Sequence, residues 1–150
     1  MRFMKERLFV MQFINYNANP KGRKTTDCVI RAICTALNDN WENTYRSLVD
    51  YSIKKGLMCS DKRAFTDYLN TKGYKIQKMP KRNDNTRYTV KEFIDELAQP
   101  KATYILSIAN HLTTVKDKVL LDSWNCSSKS IGNYWVIENE VSHIGKRRII

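Results

Sequence analysis

The stretch Asn110-His111-Leu112-Thr113-Thr114-Val115-Lys116-Asp117-Lys118-Val119-Leu120-Leu121-Asp122-Ser123-Trp124 reads as two β-strands joined by a tight turn. Both flanks are rich in β-branched and apolar residues, and Asp117-Lys118 is the polar break between them. A two-residue loop at that break sets Lys116 opposite Val119 and His111 opposite Trp124. Asp122 then lies diagonal to His111 on the same face. Parity decides the matter: a register centred half a residue earlier sends Asp122 to the other face, whereas one centred a whole residue earlier puts it directly across from His111. In either favourable register the carboxylate can accept one ring N–H of His111 and fix its tautomer, with Trp124 shielding the pair from water. Asp-Gly would turn more easily than Asp-Lys.

Outward from this hairpin, Ala102 to Ala109 and Asn133 to Ile137 carry the same strand signal, and a short strand is expected at Tyr74 to Lys78. The first half of the chain has helical spacing instead. Thr25-Thr26-Asp27 offers caps before Cys28-Val29-Ile30-Arg31-Ala32-Ile33-Cys34-Thr35-Ala36-Leu37, a run apolar almost all round and hence central, which Asn38-Asp39-Asn40 ends. A second helix is predicted from Trp41 to Lys55 with Gly56 in the left-handed C-terminal position. A third is capped by Ser60 and stops at Gly73, and a fourth runs from the capping box Thr89-Val90-Lys91-Glu92 to Ala98. Helices followed by strands predict an α+β fold, with an N-terminal helical lobe and its central helix packed against a C-terminal antiparallel sheet.

The 150 residues suit one domain, 1–150, without repeats or linkers, large enough to bury a core without disulfides. Cys28, Cys34, Cys59 and Cys126 form no C-x-x-C pair, and the only histidines are His111 and His143, so no zinc-ligand spacing is present and neither a metal nor another cofactor is expected. The apolar stretch Leu8 to Ile14 is broken by Gln12 and followed by Asn-Tyr-Asn, unlike a signal peptide, and reads as a strand or a segment before a helix. No run has the length of a membrane span, which predicts a soluble cytoplasmic protein with reduced thiols and no membrane partner. The net charge of +11 favours an acidic protein or nucleic acid as partner; Lys21 to Lys24, Lys78 to Arg82 and Lys146 to Arg148 are small basic clusters. Tyr74, Lys75, Lys78, Lys81, Arg82, Arg87 and Tyr88 are the residues from which a stacking surface for single strands could be built.

Cys28 falls in the first turn of the central helix, where free N–H groups and the helix dipole favour a thiolate and can hold an oxyanion. Cys34, inside that helix, lacks both advantages; Cys59 and Cys126 read as ordinary small residues near loops. A nucleophilic sulfur needs a base, and His111 in its strand is the candidate, since His143 lies in the basic tail. The order cysteine, histidine, aspartate then predicts Cys28 as nucleophile, His111 as base and Asp122 as orienter.

Thr26-Asp27-Cys28-Val29-Ile30-Arg31-Ala32, Asn110-His111-Leu112-Thr113-Thr114-Val115 and Leu121-Asp122-Ser123-Trp124 together resemble papain-like cysteine peptidases of the bacteriocin-processing type and their small relatives in phages and Gram-positive bacteria. The resemblance covers most of residues 15 to 138 in its order of elements. It implies a papain-like fold, a Cys28-His111-Asp122 triad, cleavage of an amide bond in a peptide or protein, and a bacterial, phage- or prophage-encoded origin. Transglutaminase-like and arylamine acetyltransferase-like acyl transferases share the constellation. The family's glutamine, an oxyanion donor six residues before the cysteine, is replaced here by Gly22; Asn17, at the end of a possible strand, or Asn19 is expected to supply the amide. A basic protein binding nucleic acid or a host protein on the same scaffold is the reading from another class.

Overall fold

The computed structural model describes residues 12–137. His143, the basic cluster Lys146 to Arg148 and the first part of Leu8 to Ile14 lie outside them. Strand β1 (Gln12–Asn15) is followed by helices α1 (Cys28–Ala36), α2 (Trp41–Lys55) and α3 (Lys62–Thr71), the two-residue strand β2 (Gln77–Lys78) and helix α4 (Val90–Glu96). Strands β3 (Thr103–Ile108), β4 (His111–Lys116), β5 (Val119–Asp122) and β6 (Asn133–Ile137) complete the order. The strands form one sheet in the order β1-β5-β4-β3-β6-β2.

This α+β sheet is mixed, which corrects the antiparallel expectation: β1 pairs parallel with β5, Asn15 against Asp122, while the other pairings are antiparallel. β1 is an edge strand with Ile14 half exposed, so it lacks the alternation that would have marked it as a sheet member. Its pairing places the chain that leads into α1 beside the end of β5.

The helices divide between the two faces. Val29, Ile33, Leu48, Phe65 and Leu69 of α1 to α3 pack on Ile105, Leu112, Trp135 and Ile137. On the other face Val90, Phe93 and Ile94 of α4 pack on Tyr104, Leu106, Val115, Leu120 and Tyr134. Because both faces are covered, all six residues of β3 are buried, and its sequence, Thr103-Tyr104-Ile105-Leu106-Ser107-Ile108, lacks the apolar–polar alternation of a half-exposed strand.

Helix ends follow their side chains. Asn40 caps α2 through Asn43 N, and Gly56 closes it at φ 71, the left-handed conformation that glycine adopts without a Cβ penalty. For α3 the cap is Asp61, which accepts from Arg63 N at 2.9 Å, and not Ser60; a carboxylate is the stronger acceptor there. The helix also ends at Thr71 with Lys72 as C-cap, before Gly73. The Thr89–Glu92 capping box is complete, with Glu92 N to Thr89 Oγ1 at 3.1 Å and Thr89 N to Glu92 Oε1 at 2.9 Å, and α4 stops at Glu96, short of Ala98. Replacing Thr89 by Ala is expected to lower stability by about 1 kcal/mol, read as a shift in urea midpoint at constant slope.

The β4–β5 turn has the two-residue form, pairing Lys116 with Val119 and Val115 with Leu120. Asp117 (φ 49) and Lys118 (φ 64) both occupy the left-handed region that an Asp-Gly turn would reach more easily. Tertiary bonds hold them there: Asp117 Oδ1 accepts from Lys101 N at 2.7 Å, and Lys118 Nζ donates to Ile94 O (2.8 Å) and Ala98 O (3.0 Å) at the end of α4. A cation on those carbonyls also suits the negative end of the helix.

Candidate active site

The turn register carries through to His111 and Asp122. Their side chains share a sheet face, with His111 Nε2 2.6 Å from Asp122 Oδ2. Nε2–H donating to the carboxylate leaves Nδ1 as the ring nitrogen for the hydrogen bond that His111 also makes with Cys28. Trp124 stacks at a tilt on His111, with ring centroids 5.0 Å apart, and is 41 % exposed, so it covers the imidazole from the solvent side.

Cys28 opens α1. Asp27 occupies the N-cap position but its side chain makes no capping bond, so it does not compete for the first-turn N–H groups around the sulfur. Burial pushes the Cys28 thiol up, yet hydrogen bonding with His111 and the Leu112 N–H, together with the charges of His111 and Arg31, brings it below the ordinary value of 9.0. Burial works against the His111 imidazolium as well; bonds to Asp122, Cys126 and Cys28 and the Asp122 charge overcome it and push the ring up to about 11. Both shifts favour a thiolate–imidazolium pair.

Asp122 is 3 % exposed and accepts from five donors. Oδ2 takes His111 Nε2, Thr113 Oγ1 at 2.6 Å and the Cys126 thiol at 3.7 Å; Oδ1 takes Ser123 N at 2.6 Å and Arg31 Nη1 at 3.1 Å. Burial would raise its pKa, but the bonds from His111 and Thr113 outweigh that and hold it below the usual carboxylate value.

Two charged residues behind this carboxylate escape the sequence reading. Arg31 directs Nη1 to Asp122 and Nε to Asp27 Oδ1 at 2.8 Å, and Asp27 Oδ2 in turn accepts from Trp41 Nε1 (2.9 Å) and Asn19 Nδ2 (3.1 Å). A signal for them exists: Arg31 is the one charge in Cys28 to Leu37, a run otherwise apolar or neutral, and Asp27 stands four residues before it. A cation in a buried helix requires a buried counter-charge. Cys126, which reads in the sequence as an ordinary loop residue, is fully buried beside His111 and Asp122. Cys34 bonds Arg31 O at 3.5 Å and burial raises its thiol pKa, while Cys59 packs at the edge of the helical core.

Asn17 and Asn19 are not brought to the sulfur. Asn17 Nδ2 donates to Arg23 O and its Oδ1 accepts from Asn19 N, both at 3.0 Å; Asn19 is buried between Asp27 and Lys21 N. They shape the loop entering α1, in which Gly22 takes φ 65 to close a turn onto Asn19 O. Neither lines the open cleft of about 960 Å³ that Cys28 and His111 share with Thr25, Thr26, Ser107, Ser123 and Trp124.

His111, Asp122 and Cys126 place one donor atom each within 4.8 Å of one another, the spacing of a metal-ligand group. The Asp122 lone pairs are already engaged, one of them by the Arg31 cation that a metal ion would have to displace. Of the residues expected to form a nucleic-acid stacking surface, Arg82 is drawn into local pairing: it contacts Glu92 (3.5 Å) and Glu96 (3.2 Å) and lies over the Tyr88 ring. Among the described residues no helix is long and apolar enough to cross a membrane. Comparisons of the chain with family models, with curated proteins and with solved structures gave no match.

Proposed function

We propose that the chain is a cysteine-dependent hydrolase of papain-like type that cleaves an amide bond in a peptide or protein. The observation that carries this reading is the continuous line from the Cys28 sulfur at a helix start, through the His111 ring, to Asp122, opening on a cleft. The Cys28 thiolate attacks the carbonyl carbon, and the carbonyl oxygen takes the negative charge beside the uncapped first-turn N–H groups of α1. His111 gives its Nδ1 proton to the leaving amine as the carbon–nitrogen bond breaks, producing a thioester. The ring then takes a proton from water, the resulting hydroxide attacks the thioester, the carbon–sulfur bond breaks, and the acid product leaves with the thiolate–imidazolium pair restored. An amine in place of water would make the same site an acyl transferase.

Limited alkylation with iodoacetamide near neutral pH, followed by peptide mapping, tests the reading. Cys28 is expected to react first, ahead of half-buried Cys59 and well ahead of buried Cys34 and Cys126. Equal labelling of Cys28 and Cys59 would remove the case for an activated sulfur.

A further inference from the structure

The cleft around the sulfur is walled by cations. Arg23 and Lys24 from the loop before α1 and Lys62 from the start of α3 line it, and among the described residues no Asp or Glu does. The carboxylates closest in sequence are directed to other partners: Asp27 to Arg31, Asp61 to Arg63 and Asp122 to Arg31 and His111. Arg31 is thereby neutralised, whereas Lys62 Nζ donates to the neutral Asn133 Oδ1, at 2.6 Å, and keeps its full charge. Three positive charges lining a concave site concentrate positive potential near the sulfur, where an acyl group must sit. Phe65, Ile108 and Leu112 add apolar surface, so the cleft favours a ligand with an apolar body and anionic flanks.

Resting on the hydrolase reading above, we infer that the cleft selects peptide substrates that carry carboxylates beside the scissile acyl group. Iodoacetate and iodoacetamide form a probe pair, alike in size and differing by one negative charge. In both reactions the thiolate sulfur forms the new S–C bond as C–I breaks and iodide leaves. The iodoacetate-to-iodoacetamide rate ratio at Cys28, divided by that of a small free thiol at the same pH, is expected to be on the order of tenfold at low salt and to fall as salt is added.

The His111 imidazolium also attracts the anion, so the decisive comparison is the exposed-site variant Arg23→Gln, Lys24→Gln, Lys62→Gln, which leaves His111 in place. Its ratio, which cancels any change in the thiolate population, should drop several-fold. A hexaglutamate peptide should slow labelling of Cys28 more than a single-stranded oligonucleotide of equal charge. An unchanged ratio in the triple variant, or protection by the oligonucleotide alone, overturns the inference. Rapid labelling by both reagents at the free-thiol ratio overturns the inference and leaves the hydrolase reading standing; labelling of Cys28 no faster than of Cys59 removes both.

Discussion

Arg31→Met is expected to destabilise the protein by about 3–5 kcal/mol, a large fraction of the total for a chain of this size. A buried ion pair often contributes little net stability, because desolvating both charges offsets their attraction. Removing one partner is different, since the other is left without its counter-charge. Here one largely buried guanidinium serves two buried carboxylates. Asp122 would keep the His111 cation, but Asp27 would keep only the Asn19 amide and the Trp41 indole. Most of the loss should therefore trace to Asp27, and Arg31→Met combined with Asp27→Asn should recover part of it. Arg31→Lys should fall between, because a single ammonium cannot reproduce the two-direction fork. Urea unfolding measures all three, and a loss below about 1 kcal/mol for Arg31→Met would show that the network does not bear on stability.

Low pH should act on the same group. The folded pKa of Asp122 lies below its unfolded value of 3.8. Its contribution is therefore present above that value and is lost as pH falls through the folded pKa.

The hairpin and the position of Asp122 were legible because they depend on local properties: β-branched flanks, a polar break and a side-chain period of two. The turn forms as read even with Lys118 in a glycine-like conformation, since the carbonyls of α4 hold its ammonium. Less was legible where the answer depends on distant chain. β1 joins the sheet in parallel through backbone bonds at an edge, which leave no periodic trace in Gln12-Phe13-Ile14-Asn15. The crossing of α4 to the opposite face is set by the path of residues 79–89, which no side-chain pattern encodes. Asn17 and Asn19 do precede the helix, but their amides face their own loop and Asp27. Arg31 was the residue most open to inference, and asking where a charge in an apolar helix finds its partner would have led to Asp27 and Asp122.

His111→Ala should have the largest effect on reactivity, and Asp122 retains Arg31 as a cation when the ring is gone. In the intact site the Cys28 thiol titrates below 9.0 and the imidazolium persists to about 11, so the ion pair spans the range between those limits. Without the ring, burial is opposed only by the Leu112 N–H and the more distant Arg31 charge, and the sign of the change is upward. The rising limb of the iodoacetamide rate against pH should move to higher pH, and the rate at pH 7 should fall in step with the thiolate population, roughly tenfold where the limb moves by about one pH unit. Hydrolysis of p-nitrophenyl acetate, which also needs a base to deacylate the thioester, should fall further, by roughly 10²–10⁴-fold. The stability contribution runs the other way along the pH axis. A histidine whose folded pKa is raised from 6.5 contributes fully below that value and loses its contribution as pH rises towards about 11, so wild type and variant should converge in stability at high pH. A rate profile whose rising limb stays in place after the substitution would mean that the sulfur owes its reactivity to the start of α1 alone, and His111 would then have no part in activating it.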